Sequence, residues 1–167
     1  MEYPALIFLV IHGLLGGIDV LFNHEFKEHL PDNPAAKSEV FLHSLREASF
    51  AIIFLSLAWF QWKGFWCYFI AAVLLIEIII TSIDALVEDR VRTLSAFERV
   101  VHILLFINTG IYIALLAPVL LEWQAQANTV SFIYHGWPSV LLSLLGLFAI
   151  AWTVRDALSY RKLKFIA

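Results

Sequence analysis

Five stretches of this 167-residue chain are apolar over a length that suits a lipid bilayer, and that fact limits the folds open to it. A spanning helix needs about 20 mostly apolar residues. The stretches fall at about 4–22, 40–62, 65–87, 97–121 and 138–156. Hydrophobic residues make up 61% of the chain and charged residues 15%, against about 25% in an average soluble domain. So short a chain cannot hide that much apolar surface from water, because a domain of this size buries only about 70% of its surface. The expectation is a single all-α integral membrane domain over residues 1–167, with helices 1–4 as an antiparallel bundle. Period-2 alternation is lacking, which argues against a β-barrel. The N-terminus has neither the basic region nor the small-residue cleavage site of a signal peptide, so the first stretch reads as a retained span.

Local signals mark the ends of these helices. Asn33-Pro34 places an N-cap before a first-turn proline ahead of helix 2. Ser95-Ala96-Phe97-Glu98 reads as a capping box that opens helix 4. Lys63-Gly64 reads as a tight turn between helices 2 and 3. Of the 11 Lys and Arg residues, only Lys63 lies towards the end where helix 1 starts. The positive-inside rule then puts the N-terminus outside and the C-terminus in the cytoplasm, in a bacterial inner-membrane setting. Trp59, Trp62, Trp66, Trp123 and Trp137 form an aromatic belt at the outer face. The segment Tyr160–Ala167 reads as a short basic anchor at the membrane surface. Small residues at Ser139, Ser143 and Gly146 offer helix 5 a close-packing face, which leaves room for a homo-oligomer. A net charge of −3 gives no case for nucleic acid, and a single cysteine, Cys67, excludes thiolate metal chemistry.

Eight ionisable residues fall in or at the edges of the spans: His12, Asp19, His43, Glu47, Glu77, Asp84, Glu98 and His102. Each charge at a helix centre costs about 2.5–3.5 kcal/mol on insertion scales, so together they would cost on the order of 20 kcal/mol. That exceeds a typical folding stability of about 5–15 kcal/mol. They must therefore be paired, neutral or bound to something. Helical spacing lets them meet. His12 and Asp19 are two turns apart on one face, as are Glu77 and Asp84, while His43/Glu47 and Glu98/His102 are i, i+4 pairs. Alternating helix direction then brings Asp19, His43, Asp84 and His102 to one depth in the cytoplasmic half. His12, Glu47 and Glu77 form a deeper layer. Imidazole and carboxylate together suit iron, zinc or manganese.

This pattern resembles the ligand plan of ferritin-like di-iron and di-manganese carboxylate bundles. There two helices each give a Glu and two each give a Glu-x-x-His pair. Here helices 1 and 3 give acids and helices 2 and 4 each give a Glu–His pair, spaced i, i+4 and with His first in helix 2. The resemblance implies two metal ions, iron ahead of zinc or manganese, held by His12, Asp19, His43, Glu47, Glu77, Asp84, Glu98 and His102. It also implies an oxidoreductase acting on an apolar or quinol substrate drawn from the lipid bilayer. A zinc hydrolase would need fewer carboxylates. A haem b or quinone electron carrier with axial His43 and His102 would leave the acids unexplained. A cation or proton transporter would need a polar path that thins out beyond Asn108 and Thr109. His24, Glu25, Glu28 and His29 read as a polar connector, and Glu88, Asp89, Arg90 and Arg92 as a solvated loop.

Overall fold

Helix propensity and apolar length together leave little of the chain outside helices. The computed structural model describes residues 2–164. Helix α1 (Tyr3–Asp19) begins with a proline in its first turn and runs on as a π-helical segment, Val20–Lys27. Helix α2 (Lys37–Trp59) follows two short 3-10 turns, and α3 (Cys67–Val91), α4 (Ala96–Gln124) and α5 (Trp137–Lys164) complete the set. Among the described residues five helices, the first taken as Tyr3–Lys27 with its π-helical continuation, are long and apolar enough to cross a membrane.

The capping signals act as their chemistry requires. The Asn33 side chain accepts a hydrogen bond from Ala35 N and caps the turn that leads into α2. Ser95 Oγ accepts from Glu98 N at 3.2 Å, and Ser95 N donates back to the Glu98 carboxylate. Gly64 has φ +61°, and a Cβ there would lie 2.2 Å from Asn128 Oδ1, the atom that accepts from Phe65 N. Only glycine allows this turn.

Contacts at the two ends fix the up-and-down order. At one end Gln61, just past α2, donates to Glu2 ahead of α1, and β1 (Phe60–Lys63) pairs antiparallel with β2 (Thr129–Phe132) ahead of α5. At four residues each the strands are too short to show a period-2 pattern in the sequence. At the other end the last residues of α1 and α3 meet the first turns of α2 and α4. The apolar core lies in the half nearer the strands and draws on all five helices, with Leu9, Ile53, Ile70, Leu116 and Leu142 buried in it.

Helix α5 packs most extensively against α2. Ser139 Oγ donates to Ala58 O at 2.6 Å, and Trp59 Nε1 donates to Ser143 Oγ at 2.8 Å. Gly146 lies under Leu55. The small-residue stripe on α5 is thus used inside the chain, because it lets two helices approach closely. The basic segment expected as a surface anchor is, as far as Lys164, the last part of α5. Its Tyr160 and Leu163 pack on Leu30 and Ala36 of the connector and Val40 of α2. Residues 165–167 lie outside the described residues.

Candidate metal centre

The ends of α1 and α3 and the starts of α2 and α4 enclose a buried cluster of histidines and carboxylates. On α1 the turn widens after Asp19, and the π-helical spacing brings Asp19, Asn23 and His24 to one inward face. Asn23 Nδ2 donates to Asp19 Oδ1 at 2.7 Å. The second oxygen of Asp19 lies 3.0 Å from His102 Nε2 and 3.6 Å from His24 Nε2. Such widened turns are rare and concentrate at functional sites. His24 is 2% exposed, stacks on the His43 ring at 4.3 Å between centroids, and has no hydrogen-bond partner at either ring nitrogen.

A single guanidinium gathers three acids. Arg92 Nη2 lies 2.8 Å from Glu39, 2.7 Å from Glu88 and 2.5 Å from Glu98. Glu39 and Glu98 are fully buried. Burial works against the charge of Arg92, but its bonds to Glu98 and Glu39 outweigh that and hold its pKa above the ordinary value. The capping box fixes the Glu98 backbone and one carboxylate oxygen, which leaves the other aimed at Arg92 and, at 3.9 Å, at His24. Asp84 Oδ2 takes a hydrogen bond from Arg46 at 2.9 Å and lies 3.2 Å from His43 Nε2. The second oxygen of Glu88 faces His102 Nδ1 at 3.5 Å.

Two overlapping donor sets result. In each, one atom from every residue lies within 4.8 Å of the others: Asp19, His24, Glu98 and His102 in one, and His24, Glu39, His43 and Glu88 in the other. The electrostatics point the same way as the donor geometry. Among the described residues Asp84 pairs with Arg46, and Glu39, Glu88 and Glu98 share Arg92, so with neutral imidazoles these four acids and Asp19 carry three more negative charges than the two arginines offset. Buried charge of one sign must be balanced by protons or by cations.

Of the residues singled out in the sequence, Asp19, His43, Glu98 and His102 lie in the donor sets. Asp84 lies against His43 but in neither set. His12, Glu47 and Glu77 fall outside the cluster and line an adjoining cavity of about 230 Å³. His12 packs between Phe50 and Tyr112, and Glu77 accepts from Thr81 Oγ1 at 2.7 Å. His24, Glu39 and Glu88 are the additions. His24 was expected in a polar connector and Glu88 and Arg92 in a solvated loop, whereas all three are buried or nearly so. The reason is that α1 and α3 continue past the apolar stretch that marked them. The signal was the polar spacing itself: Glu88 follows Asp84 by four residues, and Arg92 follows Glu88 by four.

The described residues form a helical protein with five helices fit to span a membrane and a His/carboxylate cluster that could hold metal. The chain matches no known protein family, no curated protein and no solved structure.

Proposed function

We propose that the chain is an integral membrane metalloprotein with two metal ions, iron in first place, in its His/carboxylate cluster. It works as an oxidoreductase on an apolar, membrane-dissolved substrate. The charge bias of its loops supports an orientation with the N-terminus outside and the cluster in the cytoplasmic half, in a setting we take to be a bacterial inner membrane.

His24 carries this reading. A buried polar group without a partner costs about 1–3 kcal/mol, and His24 has two such nitrogens at the shared edge of both donor sets. A neutral imidazole nitrogen is the commonest metal ligand in proteins, and here carboxylates stand beside it to complete a donor set. Two divalent ions would also offset the surplus negative charge. Donors of oxygen and nitrogen with no thiolate favour iron, zinc or manganese, and the abundance of carboxylates favours a pair of ions over one zinc.

The chain's own residues then divide the work. Asp19, His24, Glu98 and His102 would hold one ion, and Glu39, His43 and Glu88 the other. Glu88 belongs to the second set and faces His102 of the first, so it would lie beside both ions. Asp84 lies against Nε2 of His43 and would help to orient that ring, as carboxylates commonly do beside ligating histidines. Arg92 restrains Glu39, Glu88 and Glu98 from the far side. Bound iron would supply reversible one-electron chemistry and a site for O₂.

Metal analysis of two variants tests this. His24→Ala is expected to lower bound metal at least tenfold with the helical circular dichroism retained, whereas Glu77→Gln leaves metal content unchanged. Equal metal content in both variants would contradict the reading.

A further inference from the structure

The cavity beside the cluster has two chemically distinct ends. At one end Asp84 Oδ1 is buried without a hydrogen-bond partner, its other oxygen being engaged by Arg46 and His43. At the other end His12 Nδ1 is also buried and unpartnered. Asp84 is 1% and His12 7% exposed, and both line the cavity. Their levels differ by about two helical turns. Asp84 lies at the level of the cluster, where Asp19 also sits, and His12 precedes Asp19 by seven residues, about 10 Å of helical rise.

The lining is mostly apolar, with Arg46, Glu47, Glu77 and Thr81 among its further polar members. Phe50, Phe54, Phe106, Phe148 and Trp152 face the cavity. Helix α1 contributes Gly16 and Gly17, where a Cβ would meet no other atom within 4 Å. The missing side chains are what leave this space open. Gly17, Leu21, Phe106 and Phe148 at the rim are exposed on the apolar outer surface of the helices. Access is therefore from the side, where acyl chains would lie.

We propose that this cavity binds the ring of a membrane-dissolved para-quinol, one hydroxyl at Asp84 Oδ1 and the other at His12 Nδ1. This rests on the reading of the cluster as a redox centre. Hydroxyl oxygens para to one another on a six-membered ring are about 5.5 Å apart, and a hydrogen bond of about 2.8 Å at each end extends the reach to about 11 Å. That spans the difference in level of about 10 Å between the two ends. The flat ring suits aromatic walls. A carboxylate oxygen can only accept, so the quinol, which donates, is preferred over the quinone at Asp84, whereas the His12 nitrogen takes either role. A plain acyl chain would fill the walls and leave both polar atoms unpaired.

The test is binding of a decyl-substituted benzoquinol to the detergent-solubilised full chain, under anaerobic reducing conditions, with metal measured on the same samples. One saturable equivalent is expected. Gly16→Leu, which fills the cavity, and His12→Leu, which removes one polar end, should each weaken binding at least tenfold with metal content unchanged. The second variant decides the matter if the first does not fold. The oxidised quinone should bind more weakly, and 1-dodecanol should not displace the quinol. Unchanged binding in a folded variant, or displacement by dodecanol, overturns the proposal. A wild-type chain that holds two metals and binds no quinol overturns the quinol site alone. One that binds quinol and holds no metal keeps the site and overturns the metal reading.

Discussion

Replacing Arg92 with methionine removes the cation on which three buried acids converge and keeps most of the side-chain volume. One nitrogen of Arg92 lies within 2.8 Å of a carboxylate oxygen from each of Glu39, Glu88 and Glu98. Removing one partner of a buried ion pair costs about 3–5 kcal/mol, because the other charge stays buried and uncompensated. Here three charges are left, and protonation of the acids limits the loss to about that range. In a chain of this length the change corresponds to a fall in Tm on the order of 10 °C. The metal reading adds a second expectation. Divalent ions bound to the same carboxylates compensate them from the other side, so the loss in metal-loaded protein is smaller than in chelator-treated protein. Thermal unfolding in detergent, followed by circular dichroism with and without anaerobic Fe(II), measures both. A loss below about 1 kcal/mol would refute the ion-pair argument. A loss of equal size in loaded and chelated protein would refute the link between Arg92 and metal.

Two further substitutions probe the supports of the site. Ser95→Ala deletes the cap whose partner is Glu98, so stability should drop by about 1 kcal/mol and metal affinity should fall with it, as read by unfolding and by chelator competition. Gly64→Ala forces a side chain into Asn128 at a positive φ, so Tm should fall by several degrees while bound metal, at the opposite end of the helices, stays the same.

Five spanning-length helices were legible because apolar length is a direct physical requirement of the bilayer. The capping signals at Asn33 and Ser95 were legible because a cap needs only a few neighbouring residues. The centre was legible where its donors fall inside apolar stretches, as Asp19, His43, Glu98 and His102 do. His24, Glu39 and Glu88 share one reason for being missed. A hydropathy boundary is drawn where polar residues begin, and at this end the polar residues are the site. Helix α3 runs four residues past its expected end at 87, and α2 begins at Lys37 rather than 40. The inward turn of His24 depends on π-helical geometry that no 3.6-residue pattern reveals. The close packing of α5 on α2 and the pairing of β1 with β2 join segments far apart in sequence, through strands too short to carry a pattern of their own.

The central claim is a two-metal centre, and its most direct test is elemental analysis of the purified full chain with a visible spectrum of the same sample. The account predicts two ions per chain, iron foremost, with no Soret band. Protein of normal thermal stability that carries no metal above background, or one that carries haem, would contradict it.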